Sequence, residues 1–160
     1  MGKTSVGPTP GFYIWRLSMK WRVAVDRAVA PLGLTHAKYS FLSSLVGMQR
    51  SGHRPSQREL ADHTGLEPLY ISKLARALEA DGFVERAPDS VDTRAVELIL
   101  TGQGRQATRQ AMGIVRSCVN QLLAPLGGIE ARRTTRFVRD LRALLDVPWA
   151  TRGQKKGKRR

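Results

Sequence analysis

Between Pro68 and Asp81, Ile71, Leu74, Ala75 and Leu78 fall on one stripe of a helical projection. Leu69, Tyr70, Ser72, Lys73 and Arg76 are left on the other side. This second set has the donors and apolar edges that read a nucleic-acid major groove. The Ser72 hydroxyl suits a base edge, Lys73 and Arg76 suit guanine acceptors or phosphate, and Leu69 and Tyr70 suit thymine methyls or a sugar edge. Other chemistries find no such constellation. His36, His53 and His63 lack metal-ligand spacing and have no cysteine or carboxylate cluster around them, so no metal is expected. Gly102-Gln103-Gly104-Arg105 lacks the Lys-Ser/Thr ending of a phosphate loop. No catalytic residues and no cofactor are expected.

Charge supports a polyanionic partner. In 160 residues, Lys and Arg total 27 against 13 acids, a formal net charge of +14. By segment the net charge is +6 over residues 1–50, −3 over 51–100, +5 over 101–150 and +6 over the last ten. The −3 segment contains the proposed reading residues. Its acids Glu79, Asp81, Glu85 and Glu97 are expected at helix ends or on strands away from the groove face, with Glu67 the exception. Affinity is then expected to lean on Arg54, Arg94, the basic edge of the first helix and the run Lys155-Lys156-Gly157-Lys158-Arg159-Arg160. A single cysteine, Cys118, cannot close an internal disulfide and fits a reducing compartment. No apolar run approaches the ~20 residues that span a bilayer, and no secretory signal is read at the N-terminus. The expected location is the cytoplasm of a bacterium or archaeon, with no membrane partner.

The elements that must hold these residues follow from periodicity and punctuation. A first helix, about residues 12–30, has one apolar face of Ile14, Leu17, Trp21, Ala24, Val25 and Ala28 and a second stripe of Phe12, Met19 and Val23. Arg16, Lys20 and Arg27 line the edge between them. Two apolar faces imply one packed on its own domain and one on a partner subunit. Thr35 can cap a second helix to about Met48, and Gln49–Pro55 is a loop. Ser56-Gln57-Arg58-Glu59 is a capping box opening a short helix that ends at Gly65. Pro68 opens the reading helix and Gly82 closes it. Strands over Phe83–Ala87 and Ala95–Leu100 form a hairpin. A long helix from Thr101 buries Ala107, Ala111, Ile114, Val115, Cys118, Val119, Leu122 and Leu123. Pro125–Gly128 breaks it before a last helix, about Ile129–Leu145, with Phe137, Val138, Leu141, Leu144 and Leu145 on one side. The fold class is mostly α with a small β-hairpin: a winged helix-turn-helix flanked by N- and C-terminal helices.

At this point the chain resembles the multiple antibiotic resistance regulator (MarR) family of bacterial transcription factors. The likeness runs through Pro31-Leu32-Gly33-Leu34-Thr35, Gln57-Arg58-Glu59-Leu60-Ala61, Ser72-Lys73-Leu74, Leu78-Glu79-Ala80-Asp81-Gly82-Phe83-Val84-Glu85-Arg86, Asp92-Thr93-Arg94-Ala95 and Leu100-Thr101. It covers about residues 12–146. It implies a homodimer on a pseudo-palindromic operator in double-stranded DNA, with dimerisation helices at about 12–30 and 101–146 and a winged domain at about 35–100. Residues 1–11 and 147–160 are expected to be disordered ends, the second strongly basic. It also implies that Arg94 enters the minor groove while Asp92 braces the wing. The candidate DNA-binding set is therefore Arg54, Ser56, Gln57, Leu69, Tyr70, Ser72, Lys73, Arg76, Asp92 and Arg94. The resemblance further implies a small-molecule pocket where the dimerisation helices meet the winged domain. Trp15, Arg16, His36 and Tyr39 are its candidates by position, for a small aromatic or anionic ligand that releases DNA. The competing expectation is a non-specific architectural or nucleoid-type DNA binder driven by the tail and arginine-rich helices.

If about six to ten phosphates are contacted per dimer, affinity falls by ~10³–10⁵ between 50 and 200 mM salt. Deleting Gln154–Arg160 is expected to make this salt dependence shallower while leaving site preference intact. An unchanged slope on the truncated protein would show the tail to be inert.

Overall fold

The computed structural model describes residues 8–49, 52–89 and 94–148. Along them run α1 (Pro10–Val29), α2 (His36–Met48), α3 (Gln57–Thr64), α4 (Pro68–Ala80), β1 (Val84–Pro88), β2 (Val96–Leu100), α5 (Gly102–Leu122) and α6 (Arg132–Leu145). The chain divides into two compact units, Met1–Cys118 and Val119–Arg160.

In the first unit each boundary has a local cause. Thr9 caps α1 by accepting from the Phe12 amide at 3.3 Å, and Pro10 sits in the first turn, where its missing N–H costs nothing. The helix thus begins inside the stretch expected to be loose. A 3-10 turn over Ala30–Leu32 ends at Gly33 in the left-handed region, and Thr35 caps α2 through the Lys38 amide. The capping box opens α3 as expected, and Gly65 at φ 69° turns the chain into α4. The strands pair antiparallel from Val84↔Leu100 to Pro88↔Val96. The first strand starts one residue later than expected because Phe83 completes the helix exit, its amide bonding the Leu78 carbonyl.

The core gathers Val25 and Val29 from α1, Phe41, Leu42 and Leu45 from α2, Leu60 from α3, Ile71 and Leu78 from α4, and Val84, Leu98 and Leu100 from the hairpin. Helix α2 lies at its centre, against α1, α3, α4 and β2. Only the C-terminal end of α1 joins this core. Val25 is buried and Trp21 and Ala28 are half-buried, while Ile14, Leu17 and Ala24, on the same expected apolar face, are exposed in the single chain. The reason is length: α1 has 20 residues against 13 in α2, or ~30 Å against ~20 Å, so its first half outruns its neighbour. Helix α5 buries Ala107, Ala111 and Val115 as expected, together with Gly104 and Thr108, while Ile114 and Cys118 are only half-buried.

The second unit is built around a 3-10 turn at Ala124–Leu126 and two left-handed glycines, Gly127 and Gly128. The Asn120 side chain accepts from the Ile129 amide at 3.2 Å, and the Thr134 hydroxyl donates to the Gly128 carbonyl at 2.6 Å. These bonds hold Ile129–Ala131 in the turn, so α6 starts at Arg132 rather than Ile129. Val138, Leu141, Leu144 and Leu145 are exposed along α6, and Phe137 is half-buried.

Gly104, in the first turn of α5, packs against Phe83 at the entry to the hairpin. A β-carbon there would lie 1.9 Å from the Phe83 carbonyl oxygen, so only glycine lets the two backbones approach. Gly113, in the same helix, faces open space. Gly104→Ala is expected to destabilise by about 3 kcal/mol, whereas Gly113→Ala stabilises by about 0.5–1 kcal/mol. Thermal unfolding of the two variants checks this, and equal effects would contradict it.

Candidate nucleic-acid interface

Helix α4 separates its residues cleanly. Ile71, Leu74, Ala75 and Leu78 are buried, and Leu69, Tyr70, Lys73 and Arg76 are exposed on the other face, Leu69 at 79%. With Glu67 those four line a shallow groove on the surface. Ser72 is half-buried at its edge and accepts a hydrogen bond from Arg76 Nη2 at 3.0 Å. Glu67 stands at the cap position of α4 without capping it through its side chain, which leaves an exposed carboxylate at one end of the groove. The face therefore presents two cations, an aromatic ring, an apolar tip and one acceptor. That is a surface able to distinguish bases by both donors and acceptors.

Contacts between elements fix this helix against the hairpin and α2. Arg86 on β1 grips Glu79 near the end of α4, with Nε at 2.8 Å and Nη2 at 2.7 Å from one carboxylate oxygen. Lys38 on α2 pairs with Asp81 at 2.5 Å. The hairpin is tied to the start of α3 by a bridge between Ser56 and Glu97, and the Leu98 amide donates to the Pro55 carbonyl at 2.9 Å. The Gln49 side-chain amide donates to the Leu98 carbonyl at 3.0 Å. Glu79, Asp81 and Glu97 are thus engaged by Arg86, Lys38 and Arg54, and Glu59 belongs to the capping box. Four of the nine acids of residues 51–100 are engaged in this way.

The remaining candidates divide. Ser56 is buried, and its hydroxyl both accepts from the Glu59 amide and donates to the Glu59 carboxylate. In this structure its side chain serves as the cap of α3. Gln57 is half-buried, and its Nε2 has no hydrogen-bond partner among the described residues. Arg54 is exposed and 3.8 Å from Glu97. Arg94 is exposed just before β2, and Asp92 lies outside the described residues. The expected tail does so too from residue 149 onward, as do residues 1–7 of the expected loose N-terminus.

The four ligand candidates are not brought together. His36 lines a cavity of about 370 Å³ with Arg22 and Asp26 of α1, Thr35, Ala37 and Ser40 at the start of α2, Leu66 in the turn after α3, and Tyr70 in the first turn of α4. Arg16 lines a separate recess on α1, and Trp15 is exposed, its ring tilted 50° to that of Phe12 with centres 6.1 Å apart. Tyr39 is half-buried. Burial pushes its phenol up, opposed by a hydrogen bond with the Ser43 side chain. Sequence reasoning missed Arg22, Asp26 and Ser40. The signal available was the i, i+4 pair Arg22 and Asp26 on a helix otherwise read for its apolar stripes. Among the described residues no group of three or more His, Cys, Asp or Glu could hold a metal ion, and no helix is long and apolar enough to cross a membrane.

Comparison with known proteins agrees with this geometry. A family model described as the MarR family matches residues 32–95, the winged part of the chain. The chain is 34% identical over 107 residues to the HTH-type transcriptional regulator YdcH of Bacillus subtilis, covering 67% of this chain and 73% of that one. It is 30% identical over 131 residues to the HTH-type transcriptional repressor Rv2887 of Mycobacterium tuberculosis, covering 82% and 91%.

The chain belongs to the MarR family.

The crystal structure of Rv2887, a MarR-family protein, in complex with DNA superposes with a TM-score of 0.65 at 28% identity over 86% of this chain and 98% of that one. The transcriptional regulator PcaV of Streptomyces coelicolor, solved with its natural ligand, shares the fold with a TM-score of 0.77 at 23% identity, covering 92% and 99%. As a MarR-family transcriptional regulator, the chain has a helix-turn-helix in α3 and α4, inside the matched span, and a two-stranded hairpin in β1 and β2.

Burial holds the His36 imidazole below its ordinary 6.5. Asp26 pulls the other way, and Arg22 adds to the lowering. The unfolded chain then takes up a proton more readily than the folded one in the window from 6.5 down to the folded value. Stability is therefore complete above 6.5 and is lost as pH falls through that window. Urea unfolding on either side of pH 6.5 is expected to show this loss, reduced in His36→Gln. An identical pH dependence in the variant would contradict the assignment.

Proposed function

We propose that this chain is a homodimeric, cytoplasmic transcriptional regulator that binds a pseudo-palindromic operator, with α4 of each subunit in the major groove and the wing against the minor groove. No catalytic role is part of this reading. The observation that carries it is the division of α4 into a buried apolar stripe and an exposed Leu69/Tyr70/Lys73/Arg76 face. Rv2887, which this chain resembles, was crystallised in complex with DNA, which favours DNA as the partner here. Dimerisation is supported by the exposed apolar side chains of α1, from Phe12 to Val23, and of α6, from Val138 to Leu145. Each of these apolar faces is unfavourable in water and calls for a covering surface. A second copy supplies one with the same symmetry as the operator.

The cavity beside His36 supports release by a small molecule. Tyr70 lines both this cavity and the reading groove, so a ligand there touches the reading helix itself. Arg22 at its wall suits an anion and Tyr70 an aromatic body. In PcaV, of the same fold, a natural ligand was found bound.

Replacing Ser72, Lys73 and Arg76 together with alanine tests the reading. Preference for the selected palindrome over random DNA is expected to fall by at least ~100-fold, with the dimer intact by sedimentation. A variant that keeps its preference would favour the architectural alternative, in which the tail and arginine-rich helices dominate. Footprints of the parent protein are expected to show half-sites ~34–36 Å apart.

A further inference from the structure

We propose that Ser72 sets the specificity of the reading face by positioning Arg76 over one guanine, without reading a base itself. This rests on the assignment of α4 as the reading helix and names which of its polar residues discriminates and which only orients.

Three observations carry it. The Ser72 hydroxyl lies at the half-buried edge of α4, one turn before Arg76, and takes a hydrogen bond from Arg76 Nη2 at 3.0 Å. That contact uses one of the five guanidinium donors and leaves the rest of the fork free to meet a pair of acceptors. The partner is a neutral hydroxyl, so the guanidinium keeps its full charge. The carboxylate at helical spacing from it, Glu79 three residues on, is held instead by two nitrogens of Arg86 on β1, and Glu67 lies at the far end of α4, nine residues before Arg76.

An exposed arginine has several rotatable bonds to order before it can make a planar two-point contact, and ordering it beforehand lowers the cost of binding. The acceptor pair that fits such a fork in the major groove is O6 and N7 of guanine. Ser72 thus acts through Arg76, and the Arg86–Glu79 pair keeps the fork from being captured within the helix.

A double-mutant cycle on the full-length protein tests this, using duplexes in which each base pair of the selected half-site is replaced in turn. Arg76→Ala is expected to abolish discrimination at one guanine per half-site, by about 10- to 100-fold. Ser72→Ala is expected to weaken discrimination at that same guanine by about 3- to 10-fold, to leave every other position unchanged, and to add nothing in the Arg76→Ala background. Ser72→Thr, which keeps the hydroxyl, is expected to retain the parent profile. Because alanine is a good helix former, the fold is not at risk. Loss at a different base pair, or losses that add in full to those of Arg76→Ala, would show that Ser72 reads a base and would overturn the proposal. So would a Ser72→Ala profile identical to the parent's. Failure of the underlying assignment would look different, with Arg76→Ala itself leaving every base preference in place.

Discussion

The arrangement depends on burying one stripe of a single helix. Ile71, Leu74, Ala75 and Leu78 go into the core made by α2, α3 and the hairpin, and no rotation of α4 keeps them there while hiding Lys73 or Arg76. Fully burying a residue such as Leu or Ile is worth ~1.5–3 kcal/mol, so a rotated helix would forfeit several such terms at once. Gly65, in the left-handed region, and Pro68, which fixes the first turn, set the angle at which the chain enters this helix. The exposed face is therefore a consequence of packing, and its chemistry is whatever the remaining positions carry.

Electrostatics then decides what that face can meet. The winged segment is net acidic by count, which sits badly with a DNA-binding surface. The structure eases the conflict by placing Glu79, Asp81 and Glu97 in pairs that bridge elements and Glu59 in a helix cap. Partly exposed pairs of this kind contribute little to stability, roughly 0–1 kcal/mol each. Their effect is on position and field: they tie the hairpin and α2 to the end of α4 and keep carboxylates away from Lys73 and Arg76. Glu67 remains on the groove, where a carboxylate excludes phosphate and accepts from cytosine.

Much of this was readable in the residues because it is local. A capping box, an N-cap threonine, glycines at helix ends and a period of 3.6 each act within a few positions, and the elements they imply are found within a few residues. The contacting set was less legible where a side chain had two uses. Ser56 reads equally as a cap or a polar contact, and only burial assigns it to the cap. Long-range placement was not legible at all. Nothing local shows that α1 outruns α2, leaving Ile14 and Leu17 exposed, or that Arg22 and Asp26 rather than Trp15 and Arg16 join His36 around one cavity. Those outcomes depend on the relative lengths and crossing of helices far apart in sequence.

The most direct check of the central claim, that the exposed face of α4 lies in the major groove, is protection of guanine N7 from dimethyl sulfate on DNA selected by this protein. N7 lies on the major-groove edge. Two protected clusters about one helical turn apart are expected, with reactivity at minor-groove adenine N3 unchanged between them. Tight binding that leaves every guanine N7 as reactive as in free DNA would contradict it.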